Sequence, residues 1–467
     1  MAPSAIAALQ AALPSGVCIT HADAIAPHLV DWRGQISGHA DILLKPRDTA
    51  TVQQIVRLAR QHAIALVPQG GNTGLVGGGI PSASRDRPVA LLSLQAMTRI
   101  RSIDPDGLSM VTEAGAILEA VHMAAESRDC VFPLSLASKG SATIGGLVST
   151  NAGGVQVLRH GSMRALVLGL EAVLPDGNRL DQLSPLRKDN SGYDIKQLLI
   201  GAEGTLGVVT AVALKLAPRP ATLTTAWAGV ASADAALALL GRLRLALGEV
   251  IESFELLEQA ALDLVGEFIP GVQMPLAGSH TFHVLVEAAA PQHRLEAVLA
   301  TALEAGEVQD VVVANSLAQR EALWKLRESV PEAERLEGPA IKNDIAVPVE
   351  GVPAFLRAAL AMFAAEFPGS RPIAFGHLGD GNLHLNLRPP AGADAHIWLA
   401  AEQPRARLAT DDLVVAHHGS ISAEHGIGTL KARELARLGD PGKLAAMRAI
   451  KAALDPDNIM NPGKLFG

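Results

Sequence analysis

A glycine-rich segment at residues 68–79 restricts the possible folds more than any other feature of the sequence. It contains Gly70, Gly71 and Gly74 and follows an apolar run, residues 65–67, that predicts a buried strand. Closely spaced glycines allow neighbouring backbone N–H groups to turn toward one anion, as a pyrophosphate requires. The glycines alone are equally compatible with a flexible surface loop. The two commonest phosphate-binding motifs do not fit, because no Gly-Lys-Ser/Thr follows and Pro81 interrupts any helix.

Two further clusters of glycine, serine and threonine lie beside predicted strands. One covers residues 138–146 and continues at residues 151–154, and the other covers residues 200–207, directly before a predicted strand at 207–216. Three such clusters indicate one long phosphate-bearing cofactor that contacts all of them.

The bulk composition excludes several classes of protein. A chain of 467 residues is too long for one hydrophobic core, so two or three domains are expected. A net charge of −8 without a dominant basic patch argues against nucleic acid as a partner. No run of about 18 apolar residues is present, so no membrane span is predicted. The first lysine or arginine is Arg33, whereas a targeting segment would need early positive charge, and there are only two cysteines. A cytoplasmic protein without a targeting segment is therefore predicted.

The pattern of helices and strands predicts a mixed α and β protein. Asp176-Gly177 is a turn signal and predicts a hairpin over residues 167–180. Pro218 and Pro220 after the next strand predict a domain boundary. Beyond them, helices are predicted at 256–268 and 319–328, with a strand at 282–286.

The sharpest cluster of chemical groups lies at residues 376–386. A turn sequence at 379–382 brings His377 and His384 together, and Asn386 shares the face of His384 because strand residues two apart point the same way. Glu424, farther along the chain, adds a carboxylate. Two histidines and one carboxylate suit zinc or manganese. The residues alone equally allow two hydrogen-bonded histidines in a turn and a surface Glu-His pair.

With these motifs in their observed order, the sequence resembles the FAD-binding family that includes vanillyl-alcohol oxidase and p-cresol methylhydroxylase. Within it, the sequence is most similar to the branch of D-lactate and D-2-hydroxyglutarate dehydrogenases. The resemblance covers nearly the whole chain and includes Phe132-Pro133-Leu134, residues 186–194 and the tail from Asn461. It implies an α+β fold in which a two-part FAD-binding domain carries an inserted α/β substrate (cap) domain. The expected domains are 1–218 for FAD, 219–419 for substrate, and 420–467 completing the flavin site.

The same resemblance assigns the cofactor site. The first glycine loop would hold the pyrophosphate, and the second cluster would line the flavin. Relatives with covalent FAD often use a histidine in the first loop, where this chain has Asn72, so FAD is predicted to be bound non-covalently. The residues predicted to contact FAD are Pro68, Gly70, Gly71, Asn72, Thr73, Gly74, Ser138, Gly140, Ser141, Thr143, Gly145, Asn151, Gly153, Gly154, Glu203, Gly207 and Asn461.

The resemblance also implies a metal centre and a substrate site. His377, His384 and Glu424 would bind the metal, and His425 would accept the substrate's hydroxyl proton as the catalytic base. The residues predicted to bind substrate are Arg327, Lys342, Asn386 and His425. Without the resemblance, Arg327 and Lys342 would be interpreted as solvated charges on a helix and a loop.

The function implied is an FAD-dependent dehydrogenase that oxidises a D-2-hydroxy acid to the 2-oxo acid by hydride transfer to flavin, with metal assistance. D-2-hydroxyglutarate is the expected preferred substrate, and D-malate is the next in preference. Relatives that use dicarboxylates carry a hydroxyl residue shortly after the arginine, whereas this chain has Pro331, which cannot donate a hydrogen bond. D-lactate or glycolate is therefore the alternative substrate.

Two other classes of function remain open at this stage. A metal-dependent hydrolase would leave the glycine clusters unexplained, and a non-catalytic FAD-binding protein would leave the histidine cluster unused. An electron-transfer flavoprotein or a quinone is the expected electron acceptor. The sequence does not determine the oligomeric state, and a homodimer is one expected form.

Overall fold

A computed structural model of the protein describes residues 4–83 and 86–466 and shows alternating strands and helices. The strands are, in chain order, β1 (Cys18–Ile19), β2 (Ile42–Leu44), β3 (Ala65–Gln69), β4 (Val89–Ser93), β5 (Ile100–Asp104), β6 (Ser109–Glu113), β7 (Cys130–Val131), β8 (Val167–Val173), β9 (Arg179–Gln182), β10 (Val208–Lys215), β11 (Ala217–Pro218), β12 (Thr224–Val230), β13 (Ile251–Glu258), β14 (Phe282–Ala288), β15 (Asp310–Val313), β16 (Asp344–Ala346), β17 (Arg371–His377) and β18 (Asn382–Arg388). The helices are α1 (Ala5–Ala12), α2 (Ala22–Ile25), α3 (Thr49–Gln61), α4 (Leu118–Glu126), α5 (Ile144–Thr150), α6 (Val157–His160), α7 (Met163–Leu166), α8 (Lys196–Leu199), α9 (Ala233–Leu247), α10 (Gln259–Phe268), α11 (Gln292–Glu304), α12 (Leu317–Glu328), α13 (Val330–Glu337), α14 (Val352–Glu366), α15 (Ala395–Ala416), α16 (Ala432–Leu438) and α17 (Pro441–Leu454). None of these helices, within the ranges described, has both the length and the apolar character needed to cross a membrane.

The chain divides into two units. The first, unit 1, comprises Met1–Gly153, Gly161–Arg219 and Glu424–Gly467. The second, unit 2, comprises Gly154–His160 and Pro220–Ala423. The chain therefore enters unit 2 twice. The first segment is the short excursion, Gly154–His160, and the second is the long segment Pro220–Ala423.

The first sheet of unit 1 has the order β1-β2-β4-β3, with β2, β4 and β3 parallel. Its central strands are buried throughout and apolar except for Ser93, as expected for parallel strands that are covered on both faces. The C-terminal tail continues this sheet beyond β3. The amide of Leu66 donates to the Ile459 carbonyl (2.8 Å), and the amide of Asn461 donates to the Leu66 carbonyl (2.7 Å).

The second sheet of unit 1 is antiparallel, in the order β5-β6-β10-β8-β9. The turn between β8 and β9 is closed by the Leu174 amide, which donates to the Asn178 carbonyl at 2.9 Å. The hairpin predicted from Asp176-Gly177 is thereby confirmed. Gly177 adopts a φ of 82°, which a glycine tolerates without steric cost.

The sheet of unit 2 has seven strands in the order β15-β12-β14-β13-β17-β18-β16, and neighbouring strands are antiparallel. Helices α10, α12 and α13 pack on one face of it through a shared apolar cluster. From the sheet, that cluster includes Trp227, Leu257, Leu285, Ile373 and Phe375. Burial of side chains this large supplies most of the free energy that holds the helices on the sheet.

Helix α12 is also fixed by buried carboxylates of the sheet. Arg320 and Trp324 both donate to Glu287 on β14, at 2.6 and 3.0 Å. Arg327, on the same helical face, donates from Nε to Glu255 on β13 at 2.7 Å. These contacts set the rotation of α12 and direct its last turn toward β13.

The predicted helix at 256–268 is wrong for its first three residues. Strand β13 continues to Glu258, and α10 begins only at Gln259. Leu256 and Leu257 are apolar and suit either structure, and pairing with β14 and β17 selects the strand.

The short excursion into unit 2 packs on β13. Ser253 Oγ donates to the Val155 carbonyl at 2.8 Å. Arg159 and His160, at the end of α6, both bind the buried carboxylate of Glu252. The excursion is therefore attached to β13 at both of its ends.

Candidate functional site

The glycine loop of unit 1 begins where β3 ends. Gln69 Nε2 donates to the Gly79 carbonyl at 2.9 Å, so the loop returns to its starting point. Asn72 and Gly77 adopt left-handed backbone conformations, with φ of 54° and 73°. Asparagine tolerates this region better than most residues, and its Nδ2 donates to the Val30 carbonyl at 2.9 Å. Gly74, by contrast, has open space where a Cβ would lie.

The second glycine cluster, at residues 138–146, lies directly against this loop. A Cβ on Gly70 would lie 2.2 Å from Thr143 Oγ1, and one on Gly71 would lie 1.9 Å from the Ser141 carbonyl oxygen. Neither position can hold a larger side chain without displacing backbone or the threonine. The Ser138 carbonyl accepts the amides of Ser141 (3.0 Å) and Ala142 (2.8 Å), which forms the turn before α5.

Thr143 and Gly145 have different roles at the start of α5. A Cβ on Gly145 would lie 2.6 Å from Cβ of Ala114, so this glycine allows close packing. The amides of Ile144 and Gly145 donate to the carbonyls of Ala116 and Ala114. Thr143 Oγ1 is buried and has no hydrogen-bond partner among the described residues. A buried hydroxyl of this kind, beside a glycine loop, suits a bound group rich in phosphate and carbonyl oxygens.

Glu203 and Asn461 connect the third glycine cluster, residues 200–207, to the C-terminal tail. The Glu203 carboxylate accepts the amides of Ile427 and Gly428, both at 2.7 Å. Burial raises the pKa of Glu203, although these amides act against that change. Asn461 Nδ2 donates to the carbonyls of Gly78 (2.9 Å) and Glu203 (2.7 Å), and its buried Oδ1 has no partner among the described residues.

The remaining predicted FAD contacts lie around the same clusters. Pro68 packs against Gly204, where a Cβ would lie 3.2 Å from its Cγ. Asn151 ends α5 in a left-handed conformation, and its Oδ1 accepts the Arg164 amide at 2.9 Å. Gly153 ends the first segment of unit 1, and Gly154 begins unit 2. Apart from Gly154, the residues of the predicted glycine clusters and Asn461 therefore all belong to unit 1.

In unit 2, the β17–β18 hairpin brings His377 and His384 together, as the turn sequence predicts. Their ring centroids lie 6.0 Å apart, and one ring nitrogen of each lies within 4.8 Å of the other. Gly379, in the turn, contacts Leu158 of the excursion so closely that a Cβ would lie 2.7 Å from Leu158 Cδ2. Arg244 also holds this turn, by donating to the Gly379 carbonyl at 2.8 Å.

A buried carboxylate lies behind each histidine. His377 Nδ1 is 2.7 Å from Glu255 Oε1, and His384 Nδ1 is 3.9 Å from Asp344 Oδ1. Register places all four residues on one face of the sheet. Burial acts to raise the pKa of Glu255, but His377 and Arg327 outweigh it and hold the pKa below its usual value. The hydrogen bond to Nδ1 leaves Nε2 of His377 as the nitrogen able to ligate an ion.

Arg327 lies next to this pair of histidines. Its Nε binds Glu255 Oε2, and its guanidinium carbon is 5.1 Å from the centre of the Phe375 ring. Nη1 and Nη2 make no hydrogen bond to any residue that the structure describes. These two nitrogens form the edge of the guanidinium that can bind a carboxylate through parallel hydrogen bonds.

Lys342 and Asn386 are held by a second buried carboxylate, Glu334 on α13. Lys342 Nζ lies 3.1 Å from Glu334 Oε2, and Asn386 Nδ2 donates to both oxygens at 2.8 and 3.0 Å. Asn386 Oδ1 accepts the Asn343 amide at 3.2 Å. Pro331 occupies the second position of α13, where its missing N–H has no helical partner to lose.

Sequence reasoning did not identify Glu255, Glu334 or Asp344. Their signal is faint: Glu255 and Asp344 lie in the largely buried strands β13 and β16, whereas Glu334 is one of several acids on the amphipathic helix α13. Glu255, between Phe254 and Leu256, had the clearest signal, since an acid between two large apolar residues in a buried strand requires a partner. The helix predicted from residue 256 placed it outside any strand.

Glu424 and His425 begin the last segment of unit 1 and directly follow Ala423, which ends unit 2. The chain reaches them from the edge of the unit 2 sheet. There the Ser420 amide donates to the Ala346 carbonyl on β16 at 2.7 Å. Strand β16 pairs with β18, which carries His384.

Two protein families match the chain. Residues 219–465 match the family described as "FAD linked oxidases, C-terminal domain", and residues 40–181 match "FAD binding domain". The chain belongs to the FAD-linked oxidase family. It is an FAD-dependent oxidoreductase, which confirms the predicted cofactor and argues against a metal-dependent hydrolase.

Curated relatives from distant organisms match this family member over nearly all its length. The relative named "D-2-hydroxyglutarate dehydrogenase, mitochondrial" from Arabidopsis thaliana is 39% identical, over 93% of this chain and 77% of its own. The relative of the same name from Bos taurus is 39% identical, over 99% and 83%. "D-2-hydroxyglutarate dehydrogenase" from Xanthomonas citri pv. viticola is 36% identical, over 99% and 96%. Since two of these names include "mitochondrial", the cytoplasmic location stays a prediction.

Solved structures of the same fold include p-cresol methylhydroxylase with substrate bound, at a TM-score of 0.74, 15% identity, and coverage of 99% of this chain and 96% of that one. Alkyldihydroxyacetonephosphate synthase aligns with a TM-score of 0.73 at 15% identity, covering 99% and 86%. At such identities the likeness concerns the fold alone. The predicted fold class, a two-domain FAD-binding fold of mixed helices and sheets, is confirmed.

Proposed function

We propose that this family member oxidises D-2-hydroxyglutarate, and more slowly D-malate, to the 2-oxo acid. The observation that carries the proposal is the placement of Arg327 beside the histidine pair, with two guanidinium nitrogens unpaired among the described residues. A dicarboxylate offers one carboxylate for such an arginine and a hydroxy acid end for the histidines. The names of the curated relatives support the same substrate.

We further propose that His377, His384 and Glu424 hold a divalent cation, zinc or manganese. The support is the proximity of the two histidines and the carboxylate behind each one. The short length of chain between Ser420 and Glu424 is a second support for this metal site. Ser420 is fixed to β16, and four residues of chain span at most about 14 Å, so Glu424 cannot lie far from that sheet edge.

Each protein group then has a defined task. Arg327 and Lys342 bind the distal carboxylate, and Asn386 is held in its place by Glu334. His425 accepts the proton of the substrate hydroxyl, since an imidazole is uncharged near pH 7. A bound cation would supply a lower pKa for that hydroxyl. FAD, when bound, supplies a two-electron acceptor.

We propose that unit 1 binds FAD through its glycine clusters without a covalent link. Asn72 has no nucleophilic atom, and its side-chain amide already donates to the Val30 carbonyl. Precipitation with acid should therefore release all of the flavin into the supernatant, measured by absorbance. Yellow colour that stays with the precipitate would contradict the proposal.

The substrate is tested by anaerobic reduction of the bound flavin. D-2-hydroxyglutarate should bleach it fastest, followed by D-malate, whereas L-2-hydroxyglutarate should leave it oxidised. A chelator should slow bleaching and added Zn²⁺ or Mn²⁺ should restore it. Faster bleaching by D-lactate at equal concentration would instead support the monocarboxylate alternative that Pro331 suggests. The electron acceptor, electron-transfer flavoprotein or quinone, and the homodimer stay predictions.

A further inference from the structure

We infer that Glu255 is a positioning residue that fixes both the metal-binding nitrogen of His377 and the orientation of Arg327. The inference rests on the proposed metal centre and substrate site. One oxygen of the carboxylate serves each partner: Oε1 lies 2.7 Å from His377 Nδ1, and Oε2 lies 2.7 Å from Arg327 Nε. Glu255 is completely buried, so water does not compete for either oxygen.

The carboxylate determines which nitrogen of His377 carries the proton. An ionised carboxylate can only accept hydrogen bonds, so Nδ1 must be the donor and the neutral ring presents its lone pair at Nε2. Arg327 also has only donors, so it too requires an acceptor at this point. Each oxygen of Glu255 faces one of these donor nitrogens, so an ionised carboxylate satisfies both partners at once.

Glu255→Gln tests this logic with almost no change of shape. The glutamine side chain has one acceptor and one donor, so it cannot accept from both partners. If its oxygen faces Arg327, its NH₂ faces His377 Nδ1, which must then be unprotonated, and the proton moves to Nε2. If its oxygen faces His377, its NH₂ opposes the donor of Arg327. Either orientation damages one of the two sites.

The primary measurement is metal affinity without turnover. Zn²⁺ or Mn²⁺ is titrated into flavin-loaded, metal-stripped protein in competition with a chromophoric chelator. Glu255→Gln should weaken binding about 10–100-fold, the usual effect of losing a carboxylate behind a ligating histidine. Flavin content should not change. Glu255→Asp, which keeps the charge and both acceptor oxygens, should recover part of the lost affinity.

Glu258→Gln is the matched control on the same strand. Glu258 is largely buried and accepts the Ala374 amide at 3.0 Å, a role that a glutamine oxygen can also fill. This variant should bind the metal as wild type does. An equal loss of affinity in Glu258→Gln and Glu255→Gln would overturn the inference, because the loss would then come from any change to β13.

A second measurement requires no variant of Glu255. In zinc-loaded wild type with ¹⁵N-labelled histidine, and with the His377 signal assigned from a His377→Asn spectrum, the ring proton should be on Nδ1. A proton on Nε2 would overturn the inference even if Glu255→Gln does not fold. If wild type binds neither Zn²⁺ nor Mn²⁺, the metal centre itself is wrong. If wild type binds and Glu255→Gln binds equally, only the role of Glu255 is wrong.

Discussion

Two buried carboxylates organise the residues proposed to bind metal and substrate. Glu255 contacts His377 and Arg327, while Glu334 contacts Lys342 and Asn386. An unpaired buried charge costs several kcal/mol, so each carboxylate strongly favours the arrangement in which both of its partners are present. The positions of the functional side chains are thus set before substrate arrives, which reduces the ordering needed on binding.

Glu424→Gln should remove the metal and leave the flavin. The substitution replaces the proposed anionic ligand by a weaker neutral one, and it does not change the glycine clusters proposed to bind FAD. Metal analysis and flavin absorbance of the same purified sample check both statements. A variant that retains one equivalent of metal would exclude Glu424 as a ligand.

His425→Ala should have the opposite pattern. Metal and flavin contents should match wild type, whereas anaerobic flavin reduction should slow on the order of 10²–10⁴-fold, the usual contribution of a general base. Stopped-flow absorbance measures the rate, and Glu424→Gln serves as the reference variant. Loss of metal from His425→Ala, together with its retention in Glu424→Gln, would mean that the two assignments are reversed.

The histidine pair could be predicted from the sequence and its supporting carboxylates could not. His377 and His384 are joined by one short turn, so local turn chemistry alone brings them together. Glu255 is separated from His377 by 122 residues and from Arg327 by 72. Such contacts depend on the order of strands in a sheet, which periodicity does not encode.

At the scale of elements, the C-terminal tail forms an isolated β-bridge with the outer strand β3 of the first sheet and also binds the glycine loop. Its backbone pairs with Leu66, and Asn461 binds the carbonyls of Gly78 and Glu203. Lys464, farther on, donates to the Ile80 carbonyl and to Thr429 Oγ1, and burial lowers its pKa to about 8. That the tail completes the flavin site stays a prediction, and the sequence did not predict the β-bridge that attaches the tail to β3.

Asn461→Ala should therefore lower stability and flavin retention together. The change leaves two carbonyls without donors, at a cost of about 1–3 kcal/mol, and forces alanine into a φ of 44°. The thermal midpoint, followed by flavin fluorescence, measures the effect. Asn458→Ala is the control, since Asn458 has a similar φ of 48° but an exposed side chain that makes no hydrogen bond to the residues the structure describes. Equal shifts in both variants would show that backbone strain alone is responsible.

Over the whole molecule, buried His283 makes stability depend on pH. Burial lowers its pKa from 6.5 to about 4, and its Nδ1 accepts a hydrogen bond from Trp227 Nε1. The unfolded chain therefore binds more protons than the folded chain between these values. The contribution of neutral His283 to the free energy of unfolding is fully present above pH 6.5 and is lost as pH falls through about 4.

Comparison with a non-titrating variant isolates this effect. The free energy of unfolding of wild type relative to His283→Gln should fall by about 2 kcal/mol between pH 7 and pH 4.5. Denaturant unfolding followed by circular dichroism at each pH gives the difference. A difference that does not change with pH would mean that His283 keeps an ordinary pKa in the folded protein.

For protein engineering, the excursion at Gly154–His160 defines what counts as a transferable module. A gene fragment encoding residues 220–423 is continuous and would look like a self-contained cassette, yet it omits Arg159 and His160, the two side chains that bind the Glu252 carboxylate. It also omits Leu158, which packs against Gly379 in the turn between His377 and His384. A grafted or separately expressed cassette would need this short peptide fused back onto it, and a chimera designed from the long segment alone would carry a buried, uncompensated charge at its centre.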